Sequence, residues 1–166
     1  MMPSTARTSG DRAKPGGPTA LPELTFPSDD ELLIAMRGRP TGNHPISAYT
    51  HRLSRLHDQS HPEGGAATGI RWGRHLLVRA IDAWVDHRLP PPHPTATLHA
   101  QTIGQVIDHL VAAQVHAYRL LMTLDPIDPC VHTAWTRVAE LADEYTDLTT
   151  AVLHRSRRLP ALGGHW

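Results

Sequence analysis

The chain has 166 residues, with 16 basic and 16 acidic side chains, 13 histidines and one cysteine, Cys130. The length fits one compact domain, and the zero formal charge argues against nucleic acid as a partner, because that binding depends on clustered Lys and Arg. A single cysteine excludes an internal disulfide and a zinc site built from several cysteines. No apolar run approaches the roughly 18 residues that cross a bilayer, and the N-terminus lacks the apolar core of a secretory signal, so the sequence predicts a cytoplasmic protein without membrane contact.

The first segment of the chain is too polar to form a core. Residues 1–21 are rich in Pro, Gly and Ser and hold almost no branched apolar or aromatic side chains, so we predict a disordered tail. Ser28 is followed three residues later by Glu31 and then by an apolar run. This capping-box pattern predicts a short helix that ends at Gly38 and Pro40.

Four longer segments follow, each with apolar side chains at steps of three and four residues. They predict helices over about 43–59, 69–88, 102–124 and 129–157. The prolines of 89–99 favour an extended connector, and no segment alternates with period two. The predicted fold is therefore all-α, an antiparallel bundle of four long helices plus a short N-terminal helix, over residues 22–159 with a C-terminal tail over 160–166.

The last two predicted helices carry further expectations about side chains. Tyr118 and Met122 fall on the apolar side of the helix over 102–124, so we expect them to face inward. Arg155, Arg157 and Arg158 cluster where the final helix should end. Basic side chains there complement the negative end of the helix dipole, which explains them better than a nucleic-acid patch does.

A few polar side chains fall on the apolar helical faces. His57, Gln114 and Tyr145 lie within those faces, and Asp82 and Asp108 lie at their edges. A histidine beside a carboxylate is held in one orientation and made more basic, as proton transfer requires. We therefore predict His57, Asp82 and Asp108 as catalytic residues.

The competing interpretation of these residues is structural. In helical bundles a buried His, Gln or Tyr more often fixes the helix register, and boundary aspartates more often pair with arginines such as Arg79 or Arg119. If the bundle does enclose a pocket, we expect its substrate-binding side chains to be Arg79, Gln114, Tyr145 and Tyr49.

Signals for metals, cofactors and nucleophiles are weak. The histidines His57 and His61 form the only pair at a spacing of four, without the Glu of a metalloprotease motif, so no metal is expected. Phosphate-loop and dinucleotide fingerprints are missing, so no cofactor is expected. Cys130 lies in the first turn of a predicted helix, where a thiol can become a nucleophile, but a small buried thiol is the preferred interpretation.

Several blocks resemble the bacterial domain-of-unknown-function 4254 family. Residues 102–110 resemble its Thr-x-Gly-x-x-Ile-Asp-Arg-Leu motif with His109 in place of the Arg, and residues 79–82 resemble its basic-x-Ile-Asp segment. Leu56–Asp58 resembles an upstream Leu-Trp-His block without the tryptophan, and 134–141 resembles the actinobacterial branch. The resemblance implies an all-helical fold for a divergent member. It supplies no catalytic residues, but its blocks include His57, Asp82 and Asp108.

The composition adds a weak indication of context, because Lys14 is the only lysine among the 16 basic residues, as is typical of high-GC bacteria. We expect a small cofactor-free biosynthetic protein of bacterial specialised metabolism. It would be an enzyme, or an obligate subunit of one, performing an elimination, cyclisation or intramolecular displacement on a small molecule by acid–base chemistry in a bundle pocket. The alternative is a non-catalytic helical module that binds and stabilises a partner protein or forms a homo-oligomer. Transcriptional regulation would require a basic recognition helix, and none is apparent.

Overall fold

A computed structural model describes residues 24–39, 42–60 and 67–161. Within these ranges the chain is mostly helical, which confirms the all-α class, with one minimal pair of two-residue strands. The elements are α1 (Asp29–Met36), α2 (Pro45–Gln59), α3 (Ala67–Asp86), β1 (Thr97–Leu98), α4 (Ile103–Thr123), α5 (Pro129–Leu153) and β2 (Arg157–Arg158). No helix in these ranges is both long enough and apolar enough to cross a bilayer. The predicted tail over 1–21, His61 and the end of the chain over 162–166 lie outside the described residues.

Side chains cap the starts of the helices. The Ser28 hydroxyl accepts a hydrogen bond from the backbone N–H of Glu31, and the Glu31 carboxylate accepts one from the backbone N–H of Ser28, which confirms the predicted capping box. Thr102 and Gln105 form a second capping box at the start of α4. Helices α2 and α5 are capped by the side chains of His44 and Asp128, and each begins with a proline, whose missing N–H costs nothing in a first turn.

Helix α4 lies at the centre of the packing and contacts α2, α3 and α5. Its completely buried side chains follow the helical period: Ile103, Val106, Ile107, Leu110, Val111 and Ala117. Buried apolar side chains from all the other helices pack around it, among them Leu32, Ile46, Leu53, Ile81, Leu141 and Val152. Burial of this apolar surface is the main force that holds the helices together.

The inward orientation predicted for Tyr118 and Met122 is wrong. Tyr118 is 47% exposed and Met122 is 73% exposed. The buried stripe of α4 continues from Leu110 through Gln114 to Ala117. Tyr118 lies one residue beyond this stripe, which is a rotation of about 100° around the helix, and its ring packs edge-on against Trp135 instead.

The end of α5 also differs from the prediction. The helix ends at Leu153, and Arg155 adopts a left-handed conformation with φ of 60° that turns the chain away from the helix axis. Arg157 and Arg158 then pair in parallel with β1, and the Arg155 guanidinium donates to the carbonyl of Pro91 at 2.6 Å. The dipole explanation for this arginine cluster is therefore wrong, because the arginines tether the proline-rich connector to the end of α5.

Candidate functional site

A histidine and an aspartate from two different helices meet at the side of the core. His57 lies in the last turn of α2 with its side chain 8% exposed, and its Nε2 atom is 2.7 Å from Oδ1 of Asp108 on α4. The Asp108 side chain is 13% exposed. A contact of this length between largely buried groups is a strong hydrogen bond that fixes the orientation of the imidazole ring.

Arg74 of α3 completes this cluster, which we call the His–Asp–Arg cluster (His57, Asp108 and Arg74). Its Nη2 donates to Asp108 Oδ2 at 2.7 Å, and its Nε donates to Oδ1 at 3.3 Å. Burial alone would raise the pKa of Asp108, but hydrogen bonds from His57 and Arg74 outweigh it and lower that pKa to about 2. The carboxylate is therefore ionised at neutral pH and ties α2, α3 and α4 together.

The chemical consequence of this arrangement concerns the second ring nitrogen. When the imidazole is neutral, an ionised Asp108 favours the tautomer in which His57 Nε2 carries the proton and donates it to the carboxylate. The lone pair of Nδ1 is then available to accept a proton. Arg74 is 32% exposed, so the cluster reaches the protein surface through its guanidinium.

Asp82, the third predicted catalytic residue, has a different role in the structure. Its Oδ1 accepts a hydrogen bond from the backbone N–H of Gly104 at 2.7 Å, in the first turn of α4. Burial raises the pKa of Asp82, and hydrogen bonds from Thr102 and Gly104 oppose that rise only in part. Among the described residues no hydrogen bond or ion pair joins Asp82 to His57 or Asp108. Asp82 instead attaches the start of α4 to α3.

The predicted substrate-binding residues do not form one group. Tyr145 is buried, and its hydroxyl donates to the carbonyl of Pro27 at 2.7 Å. Tyr49 is half-buried against the core, and Arg79 is exposed with its charge near Asp82. Gln114 lines a cavity at the surface of the core.

That cavity is an open groove of about 580 Å³ between the end of α1, α2 and α4, which we call the α1–α2–α4 groove. Ser54 and Asp58, one turn before and one residue after His57, both line it, although His57 itself does not. Arg119 also lines the groove and donates to the carbonyl oxygens of His57 and Asp58 at 2.9 and 2.6 Å. The last turn of α2 therefore carries the imidazole on one side and part of the groove wall on another.

Sequence reasoning missed Arg74 as the partner of Asp108. Arg79 and Arg119 were the predicted arginine partners, but Arg79 lies near Asp82 and Arg119 caps the carbonyl end of α2. The signal that could have identified Arg74 is its place on the helix, one turn before Leu77 and Val78, which are both buried. An arginine in line with a buried stripe places its guanidinium at the edge of the core.

The structure also describes the environment of Cys130. Cys130 is exposed, so the predicted buried thiol is wrong. A hydrogen bond to Asp128 and the charge of that carboxylate raise the pKa of the Cys130 thiol, which disfavours a nucleophilic thiolate. Within the described ranges no group of three or more His, Cys, Asp or Glu side chains is arranged to hold a metal ion.

No protein-family model, curated protein or solved structure matches this chain. The resemblance to the domain-of-unknown-function 4254 family therefore stays a prediction. The geometry of the His–Asp–Arg cluster and of the neighbouring groove is the basis for assigning a function.

Proposed function

We propose that the protein is a small enzyme, or an obligate subunit of one, that performs acid–base chemistry with His57 as the proton-transferring group. The observation that carries this proposal is the 2.7 Å hydrogen bond between His57 Nε2 and Asp108 Oδ1. Arg74 keeps Asp108 ionised, and the ionised carboxylate holds the imidazole in the tautomer that leaves Nδ1 as a base.

The reaction class follows from the groups that are available. One oriented imidazole can remove a proton from a substrate and return it to a leaving group, which suits elimination, cyclisation or intramolecular displacement. His57 is only 8% exposed, and a base in such a position works on a substrate that has displaced water. Such chemistry needs no cofactor. Asp82 is not part of this proposal, because it holds the start of α4.

The wider setting is proposed on sequence grounds. We propose a cytoplasmic protein of bacterial specialised metabolism and a divergent member of the domain-of-unknown-function 4254 family, supported by the arginine-rich composition and the motif at 102–110. We also infer that α2 to α5 form an antiparallel bundle, which the short turn between α4 and α5 supports.

A second candidate function rests on exposed apolar side chains near the turn between α4 and α5. Met122 and Ile127 are 73% and 79% exposed, and Tyr118 and Leu124 are also exposed. Exposed apolar side chains at one end of a helical hairpin suit contact with a partner protein or a second copy of the chain. On this alternative the protein stabilises a partner, and His57 acts only within the fold.

One assay separates the two functions. A lysate of a strain that lacks the gene supplies the metabolites and any partner subunit, and purified protein is added back while metabolites are followed by mass spectrometry. We expect wild-type protein to restore consumption of a metabolite. His57→Gln should slow that consumption by about 100-fold or more, since general-base catalysis contributes that much. The matched control is His116→Gln, because His116 is an exposed histidine on α4.

A different result in the two variants would support the alternative function. If Ile127→Asp abolishes the restored conversion while His57→Gln preserves it, the protein is an interaction module. Conversion at the wild-type rate by His57→Gln would in any case contradict the proposed acid–base role. Helical content and melting temperature of each variant show whether a loss of activity reflects unfolding.

A further inference from the structure

The α1–α2–α4 groove has the size and chemistry of a small-molecule site. Its volume of about 580 Å³ lies within the range of about 300 to 1,000 Å³ that is common for ligand pockets. The end of α1 contributes one part of its wall, and α2 and α4 contribute the others. The hydrogen bond from the Ser54 hydroxyl to the carbonyl of Met36 joins α2 to the end of α1 there.

The charged side chains of this groove are mostly cationic. Arg37, Arg55 and Arg119 line it, and Asp58 is the only carboxylate among the lining residues. Asp58 lies 3.7 Å from Arg119, whose guanidinium is also bonded to two backbone carbonyls. Arg37 and Arg55 form no ion pair within the described ranges. Their guanidinium groups are therefore available to a carboxylate, which they match in geometry.

Gln114 contributes to the groove wall a buried polar group that lacks a hydrogen-bond partner within the described ranges. It lines the groove and is only 3% exposed, and its Oε1 atom is buried without a hydrogen-bond partner among the described residues. A buried carbonyl oxygen without a donor destabilises the folded protein, and such groups are uncommon in folded proteins. A ligand with an N–H group would satisfy it.

Apolar side chains make up much of the remaining wall. Met36 and Val115 are buried or half-buried, and Tyr118 and Met122 are exposed at the rim. The flexible thioethers of methionine adapt to ligands of different shape, and they pack well against aromatic rings. An apolar body, aromatic or branched, fits this part of the groove.

We propose that the α1–α2–α4 groove binds a small organic carboxylate with an apolar body and an amide-type N–H donor, as in an N-acylated amino acid. The carboxylate pairs with Arg37 and Arg55, the N–H donates to Gln114, and the apolar body packs on Met36 and Tyr118. This binding does not depend on the proposed function, because His57 does not line the groove.

The test uses three probes that differ by one group each. N-acetylphenylalanine carries all three features, N-acetylphenylalaninamide has a carboxamide in place of the carboxylate, and 3-phenylpropionate lacks the acetamido group with its N–H donor. We expect N-acetylphenylalanine to bind most tightly in isothermal titration calorimetry. Its binding should shift the NMR signals of Gln114 and its neighbours in the groove. Equal binding of the acid and its amide, or no binding at millimolar concentration, would overturn the proposal.

Variants assign each feature of the ligand to a residue. Gln114→Leu should weaken N-acetylphenylalanine by about three- to tenfold, as expected for one hydrogen bond, and leave 3-phenylpropionate unchanged. Arg37→Gln or Arg55→Gln should weaken both carboxylates but not the amide. Arg71→Gln is the control, since Arg71 is exposed on α3 and does not line the groove. If Gln114→Leu weakens both acids equally, the assigned donor contact is wrong.

Two further comparisons distinguish this proposal from binding of a peptide C-terminus and from the proposed role of His57. A peptide C-terminus carries the same groups, so a tetrapeptide ending in phenylalanine that binds more tightly than N-acetylphenylalanine would overturn the small-molecule assignment. His57→Gln should bind N-acetylphenylalanine as wild type does, because His57 does not line the groove. Absence of this binding would contradict only the ligand class, and conversion at the wild-type rate by His57→Gln would contradict only the proposed function.

Discussion

The imidazole Nε2 of His57 and the carboxylate Oδ1 of Asp108 lie 2.7 Å apart, although the two residues are 51 positions apart in the chain. Arg74 donates to both oxygens of the same carboxylate. Three helices therefore contribute one residue each to a single hydrogen-bonded cluster. Because its central carboxylate is ionised, the cluster has consequences for stability as well as for chemistry.

The contribution of Asp108 to stability should depend on pH. Its pKa falls from 3.8 to about 2 in the folded protein, so folding favours the ionised form. This stabilisation, about 2 kcal/mol, is fully present above the unfolded pKa and is lost as pH falls through the folded pKa of about 2. In urea unfolding, the difference between wild type and Asp108→Asn should therefore shrink by about that amount between pH 6 and pH 2. A difference that is independent of pH would contradict the ionised cluster.

Asp82 should tolerate the loss of its charge but not the loss of its acceptor. Asp82→Asn retains an oxygen for the N–H of Gly104 and removes a desolvated charge, so we expect a change in unfolding free energy of less than about 1 kcal/mol at pH 7. Asp82→Ala leaves that buried N–H unpaired, which should cost about 1 to 3 kcal/mol. Chemical denaturation of the two variants measures this difference. Equal losses in both would show that the charge, and not the hydrogen bond, is what matters.

Gly104 should be intolerant of even a methyl group. A Cβ atom there would lie 2.6 Å from the carbonyl oxygen of Val78 and 2.8 Å from Oδ1 of Asp82. We expect Gly104→Ala to lower the unfolding free energy by about 1 to 3 kcal/mol, as overpacking does, despite the higher helix propensity of alanine. The control is Gly69→Ala, where a Cβ meets no atom within 4 Å. It should be neutral or stabilising by up to about 1 kcal/mol. Similar melting temperatures for both variants would contradict the close approach of α3 and α4.

Arg119 should stabilise the end of α2. It donates to the carbonyl oxygens of His57 and Asp58 in the last turn of the helix, and the His57 carbonyl also accepts the backbone N–H of Ser60. Arg119→Met keeps much of the aliphatic stem and removes both donors, so we expect a loss of about 1 to 2 kcal/mol. Hydrogen exchange of the last turn of α2 should rise more than that of α5. A uniform rise across both helices would point to a global effect instead.

The helices were predictable because their signals are local. The capping box at Ser28, the proline at the start of α2 and the apolar steps of three and four lie within single segments of sequence. The end of α5 was not predictable in this way, since residues 154–158 contain no proline or glycine. The helix stops there because Arg155 turns the chain and the next residues pair with β1. The contact of Arg155 with Pro91 and the pairing with β1 both involve residues that are distant in the sequence.

The candidate site was predictable only in part, for a related reason. A helical face shows that His57 is inward and that Asp108 is at an edge, but not which residues meet. Which pairs meet depends on the axial offset and rotation of α2, α3 and α4 relative to one another. Those quantities place Asp108 beside His57 and Arg74, and Asp82 beside Gly104. A local pattern in the sequence contains neither quantity.

The role of His57 as a base is tested by the tautomer of its neutral ring, read from long-range ¹H–¹⁵N NMR correlations at a pH where the imidazole is uncharged. We expect a proton on Nε2, donated to Asp108, and an unprotonated Nδ1 that can act as a base. This preference should be lost in Asp108→Asn and retained in the control His116→Gln. A proton on Nδ1 in the wild-type protein would contradict the account, because that nitrogen could then accept no proton from a substrate.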